Sequence, residues 1–274
     1  MPVPRIAAVH DLSCFGRCSL TVAIPVLSAM GCQCCPLPTA LLSAHTAFQG
    51  GTFLDLTEEM PRIAAHWGGI PLRFDCIYSG FLGSPAQVET VTQLIRRFRE
   101  GAVVVVDPVM GDHGRAYRTC TPELCAGIRQ LAQAADVITP NLTEAALLLE
   151  QPYAAIQAAD SMEVIRRLSL EGRRSVVLTG YSATDGQTGA LCFDRGTGQV
   201  QAVQTPREPG DFPGTGDLFA SVLAGGLARG TQLFQAAQAA ADFVRVCVKR
   251  TLEANTPPRN GVEFEPLLGL LTGV

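Results

Sequence analysis

Two hydrophobic periods share this chain. Short continuous apolar runs alternate with longer stretches whose apolar positions fall three or four apart. The first pattern predicts buried strands and the second predicts helices lying on them. Arg5 to His10 reads as the first strand, and Ser19 to Met30 as a helix that stops at Gly31. Gln33 to Thr39 follows as a strand bent by Pro36 and Pro38, expected at a sheet edge. Thr57 to Trp67 predicts a helix with Thr57 as its cap. Phe74 to Ser79 is a buried strand. Ser84-Pro85 then opens a helix with Val88, Val91, Ile95 and Phe98 on one face and Gly101 at its stop.

Ala102 to Val106 is the most apolar run, one alanine and four valines between Gly101 and Asp107-Pro108. It predicts a strand buried on both faces. A helix near Pro122 to Ala135, the strand Val137 to Thr139, a helix over Asp160 to Glu171 and the strand Val176 to Thr179 continue the alternation. Gly189 to Phe193 and Gln199 to Gln204 read as an antiparallel pair around Arg195-Gly196-Thr197-Gly198, and the helices Asp217 to Arg229 and Leu233 to Arg250 close the chain. Strand–helix alternation of this kind predicts an α/β domain with a mostly parallel sheet covered by helices on both faces. Residues 1–274 read as one domain, with a small lid near residues 32–53. In such sheets ligands bind beyond the carboxyl ends of the strands, so the residues just after each strand carry the chemical information.

Composition narrows the chemistry. Apolar residues make up 47% and charged residues 17%, enough core material for a packed domain rather than a disordered chain. The net charge is −4, with no basic stripe to attract nucleic acid. No run of about 18 apolar residues predicts a membrane span, and Met1 to Val9 is too short, before His10-Asp11, for a signal peptide. The expected location is the cytoplasm. There the ten cysteines read mainly as small buried hydrophobes, and the cluster Cys32, Cys34, Cys35 lacks a second half at metal-ligand spacing.

Among 21 basic residues only Lys249 is a lysine, in a late helical stretch. A Walker A loop needs its lysine inside a glycine loop, a protein kinase on an early strand, and a pyridoxal-phosphate enzyme at the Schiff base. None of these fits Lys249. Phosphate handling must rest on backbone amides, magnesium or arginine.

Four segments carry candidate chemistry. Pro213-Gly214-Thr215-Gly216-Asp217 immediately precedes a helix, so free amides and the positive end of the helix dipole make an anion site. Asp217 there is either a base for a substrate hydroxyl or a simple helix cap. Asp107-Pro108-Val109-Met110-Gly111-Asp112 places two carboxylates after the buried valine strand, suited to Mg²⁺ through water or to a turn. Thr139-Pro140-Asn141-Leu142-Thr143-Glu144 fits a capping box, or an amide and carboxylate facing the same crevice. Thr179-Gly180 offers a hydroxyl and a close backbone approach to a phosphate. Asp11, at the end of the first strand, can bind a polar substrate group, His45 can contact a substrate ring or be structural, and Arg17 could supply the added anion site that phosphorylation of a monophosphate would need.

Together these segments resemble the ribokinase-like superfamily, and within it the vitamin kinases. Gly214-Thr215-Gly216-Asp217 is similar to the superfamily's C-terminal signature. Asp107 through Asp112, Thr139 through Glu144, and Ser43-Ala44-His45-Thr46 are similar to pieces of pyridoxal and pyridoxamine kinases, in the same order from about Ile6 to Arg250. The resemblance implies a three-layer α/β/α sandwich and ATP-dependent phosphorylation of the 5′-hydroxymethyl group of a B6 vitamer. It implies Asp217 as base and Gly214, Thr215 and Gly216 as anion hole. Asp107, Asp112, Thr139, Asn141, Thr179 and Gly180 would lie on ATP, and Asp107 and Glu144 near the metal. Asp11, His45, Thr46 and Phe81 would line the ring pocket. It further implies Mg²⁺, a monovalent cation such as K⁺, and a homodimer. Typical pyridoxal kinases carry Ser at the position of Asp11, His at Leu12 and often Tyr at Phe81. Asp11 also resembles hydroxymethylpyrimidine kinases of thiamine synthesis, which leaves that substrate, or a non-catalytic ligand sensor, as the alternative.

Overall fold

The computed structural model describes residues 2–273. Its frame is a nine-stranded sheet in the order β11-β10-β9-β8-β5-β4-β1-β2-β3. In chain order these are β1 (Arg5–Ser13), β2 (Gln33–Leu42), β3 (Phe53–Asp55), β4 (Cys76–Ser79) and β5 (Val103–Val106), followed by the short hairpin β6 (Gly111–Asp112) and β7 (Arg115–Ala116). Then come β8 (Val137–Ile138), β9 (Ser175–Tyr181), β10 (Gln187–Asp194) and β11 (Gln199–Pro206). β2, β1, β4, β5, β8 and β9 run parallel, while β3, β10 and β11 join antiparallel at the edges.

The parallel strands are apolar throughout because both faces are covered. Their side chains divide with period two. Ile6, Ala8, Cys76, Tyr78, Val105 and Val177 pack on one side with α1 (Leu20–Ala29), α8 (Thr215–Ala228) and α9 (Leu233–Glu253). Ala7, Val9, Ile77, Val104, Val106, Val176 and Leu178 pack on the other with α3 (Pro85–Phe98), α4 (Pro122–Gln133), α5 (Leu142–Leu149) and α7 (Ser161–Leu168). α2 (Met60–Gly69) and the short α6 (Tyr153–Ala158) complete that layer. Among the described residues no helix is long and apolar enough to cross a membrane.

Several boundaries differ from the sequence expectation for local reasons. Thr57 does not cap α2: its amide and hydroxyl bind Asp55 Oδ1 at 2.7 and 2.5 Å, an Asx-type turn that competes with the helix, which begins only at Met60. β2 lies inside the sheet, and β3 forms the edge. Yet β3 pairs only with Ala40–Leu42, so β1 is the sole strand paired to Pro36 and Pro38. Residues 33–42 thus belong to the sheet, and only 43–52 remain irregular within the expected lid. Ser84 caps α3 as expected, accepting from the Gln87 amide. Cys120 and Cys125 pair as a disulfide, a feature absent from the reading of the cysteines as buried hydrophobes.

Gln87 ties the edge of the sheet to the loop that follows β4. It is 1% exposed, accepts from Gly83 N at 2.7 Å, and donates to the Thr39 carbonyl at 2.9 Å and Thr57 Oγ1 at 2.9 Å. Truncation strands a buried carbonyl and a partly buried amide at once. Gln87→Ala should therefore cost about 2–4 kcal/mol, read as a lower urea midpoint at unchanged m value.

Candidate active site

β1, β4 and β5 pack against α8, whose N-terminus carries Asp217. The helix begins earlier than the sequence predicts, with Gly214 at the N-cap position and Asp217 as its third residue. Asp217 is therefore not the cap. Its carboxylate Oδ2 accepts from the backbone amide of Ser19, across the sequence, at 2.8 Å. Oδ1 faces the His10 ring nitrogen at 3.8 Å.

The three residues before Asp217 are fixed by space. Gly214 has φ +82°, and a Cβ there would lie 1.9 Å from the Arg17 carbonyl oxygen. Only glycine permits both the backbone angle and this approach. Thr215 Oγ1 donates to the Phe212 carbonyl at 3.0 Å, pinning the turn. At Gly216 a Cβ would meet nothing within 4 Å, so this glycine borders open space beside the free amides of the helix start. An anion fits this cradle.

Two further carboxylates stand near it. Asp107, at the end of β5, is 9% exposed and accepts from Thr139 Oγ1 at 2.8 Å. Glu144, 5% exposed, forms the expected capping box: it accepts from Asn141 N at 2.9 Å while Asn141 Oδ1 accepts from Glu144 N at 2.9 Å. Its other oxygen accepts from Met110 N at 3.2 Å. Asn141 Nδ2 reaches the Gly111 carbonyl at 2.9 Å, so the box also holds the β6–β7 hairpin.

Burial pushes the Asp107 carboxyl up to about 7, and repulsion from Asp217 adds to the effect, against the Thr139 bond. Burial likewise raises Asp217 to about 7, opposed by the Ser19 amide and reinforced by Asp11. Glu144 is raised well above its usual range by burial and then by Asp107. No ion pair among the described residues neutralises Asp107 or Glu144. No three His, Cys, Asp or Glu side chains among them form a metal site by themselves. One or two carboxylates completed by water and phosphate oxygens is the arrangement Mg²⁺ accepts, so the residues present fit that ion.

The remaining expected residues are dispersed around this centre. Thr179 donates to the Pro140 carbonyl through Oγ1 at 3.3 Å, and Gly180 follows with φ +73° and an open Cβ direction. Asp112 is exposed on the hairpin and accepts from the His113 amide at 2.8 Å. His45 is buried, its Nε2 at 2.8 Å from the Arg259 carbonyl and its ring against Gly16, where a Cβ would lie 2.1 Å away. Thr46 is exposed beside it. Phe81 is half-buried, and its carbonyl accepts from Thr39 Oγ1 at 3.1 Å. Asp11 is buried with Ser13 and Ser19 hydroxyls on its two oxygens. Arg17 pairs with Glu265 at 2.6 Å. Ser19 and His10 are the neighbours of Asp217 that sequence reading left without a role. Ser19 reads there as an ordinary helix start, and His10 as a strand end.

The phosphomethylpyrimidine kinase family pattern matches residues 24–260. The chain belongs to that family. It is a kinase of the ribokinase-like fold. A pyridoxal kinase of Deinococcus radiodurans is 32% identical over 81% of this chain and 79% of its own length. A pyridoxal kinase structure from Lactobacillus plantarum is 36% identical, with a TM-score of 0.90 over 98% of this chain and 97% of that one. A Bacteroides thetaiotaomicron protein, named a phosphomethylpyrimidine kinase and crystallised with pyridoxal, is 43% identical. Its TM-score is 0.92 over 98% of this chain and 96% of that one.

The raised acids make the ligand-free kinase pH-sensitive. Each holds a proton in the folded state at pH values where the unfolded chain, with carboxyls near 4, has released it. Their contribution is fully present below about pH 4 and is lost as pH rises toward 7. Urea unfolding from pH 5 to 8 should show this decline, and Asp107→Asn should flatten it.

Proposed function

We propose that this kinase phosphorylates the 5′-hydroxymethyl group of a B6 vitamer with ATP, using Asp217 as base. The observation that carries the mechanism is the placement of Asp217. It is a half-buried carboxylate raised to about 7, held by a remote amide rather than by its own helix, beside a glycine bordering open space. A general base works best with a pKa near the working pH. Asp217 takes the proton from the substrate hydroxyl as its oxygen bonds to the γ-phosphorus. The bond from that phosphorus to the β–γ bridging oxygen breaks, and ADP leaves with the electron pair. The amides around Gly214, Thr215 and Gly216 hold the transferring phosphoryl oxygens. Bound Mg²⁺ would neutralise phosphate charge, with Asp107 and Glu144 as its nearby carboxylates.

Asn141, Thr139, Thr179, Gly180 and Asp112 surround the nucleotide side in this reading, and His45, Thr46 and Phe81 the ring side. Support for a B6 vitamer comes from the pyridoxal kinases among the relatives and from pyridoxal in the Bacteroides protein. The family's own description keeps a hydroxymethylpyrimidine as the second substrate to test. The unbroken nine-stranded sheet supports treating residues 1–274 as one catalytic domain. We further infer a cytoplasmic homodimer, with K⁺ as an activating ion to be tested by omission.

An ADP-release assay with Mg²⁺ and ATP, run on pyridoxal, pyridoxamine, pyridoxine and hydroxymethylpyrimidine, tests the substrate. Turnover confined to the pyrimidine would overturn the vitamer reading. Asp217→Asn should fold normally and lose at least about 100-fold in kcat; near-normal turnover would remove its role as base. In the wild type, kcat/KM should rise with pH through about 7, as Asp217 deprotonates. Gly216→Ala should keep the melting temperature while weakening turnover about tenfold or more, since its methyl enters the phosphate space.

A further inference from the structure

We propose that Ser19, braced by Asp11, positions the Asp217 carboxylate; the inference rests on the reading of Asp217 as base. Ser19 stands at the start of α1, where a serine hydroxyl ordinarily accepts from the helix's own first amides. No such bond forms here. Ser19 Oγ instead donates to Asp11 Oδ1 at 2.5 Å, and Ser13 Oγ donates to Asp11 Oδ2 at 2.8 Å. All three residues are buried, and no arginine or lysine pairs with Asp11.

The backbone pays attention to this brace rather than to the helix. Ser19 has φ +52° and ψ −131°, a strained conformation for any residue with a Cβ. That bend accompanies an amide aimed at Asp217 Oδ2, 2.8 Å away, while the Ser19 carbonyl still accepts from Val22 and Ala23 to start the helix. One oxygen of the base is thereby tethered. The other, Oδ1, has only the His10 ring at 3.8 Å, and neither nitrogen of that ring has a hydrogen-bond partner. Oδ1 is the oxygen left for a substrate hydroxyl.

The chain Asp11–Ser19–Asp217 explains a buried carboxylate, an unused cap and a strained backbone together. It assigns Asp11 to bracing the base rather than to reading the ring. Without the Oγ anchor, residue 19 relaxes to negative φ and its amide leaves Asp217. The carboxylate then samples other rotamers, and the chemical step suffers while substrate binding does not. A misplacement of about 1 Å at a reacting group is enough for a loss of order 100-fold.

The test uses the full-length kinase with Mg²⁺, ATP and pyridoxal. Ser19→Ala and Asp11→Ala should each lower kcat by about 10–100-fold with both KM values within about twofold. The double variant should be no worse than the poorer single one, because both break one chain. Ser19→Gly, which accepts positive φ, should recover part of kcat. Independently of turnover, hydrogen exchange at the residue 19 amide should accelerate in Asp217→Ala and in Asp11→Ala. Wild-type kcat in Ser19→Ala, multiplying losses in the double variant, or unchanged exchange would each overturn the tether. If Ser19→Ala does not fold, Ser19→Gly and the exchange measurement decide. If the wild type turns over no vitamer but exchange accelerates in both Asp variants, the tether stands and the substrate reading fails.

Discussion

Burial of carboxylates organises the functional end of this molecule. Asp107 sits in low-dielectric surroundings between the fields of Asp217 and Glu144, and none of the three is held by an arginine or lysine ion pair among the described residues. Such a cluster persists only because the fold supplies its hydrogen bonds. Thr139 holds Asp107, the amides of Met110 and Asn141 hold Glu144, and the amide of Ser19 holds Asp217. The donors come from three segments: Thr139 and Asn141 from the turn after β8, Met110 from the residues after β5, and Ser19 from the loop before α1. The crevice therefore exists only when the sheet, the capping box and the loop before α1 are all in place.

Packing serves this arrangement directly. Both faces of the central strands are sealed by helices, which fixes their carboxyl ends as one rigid rim. The loop carrying Arg17, Cys18 and Ser19 lies against the start of α8 so closely that Gly214 has no room for a side chain. That contact brings residues nearly two hundred positions apart into one site. It also couples the Gly214 turn to Asp217, since the loop that closes on Gly214 delivers the amide that holds the Asp217 carboxylate.

Much of this was legible as pattern. The apolar run Val103–Val106, the Ser84-Pro85 start of α3 and the antiparallel pair β10–β11 follow from local rules of burial, capping and turn chemistry. The capping box at Asn141 and Glu144 was legible for the same reason. Pattern was less informative where a side chain had a non-local alternative. Thr57 turned to Asp55 and left α2 uncapped, and β2 gained a neighbour in β3 despite its prolines.

By itself the sequence determined the α/β class and excluded a lysine-based phosphate loop, because these depend on residue type and spacing over a few positions. It left Asp217 open between cap and base, and Ser19 as an unremarked helix start. Tertiary structure removed the cap reading of Asp217 and turned the Ser19 amide onto its carboxylate. Whether a carboxylate caps its own helix or accepts from a distant amide depends on which donors packing brings within 3 Å, and that is set by the whole sheet rather than by neighbours in the chain.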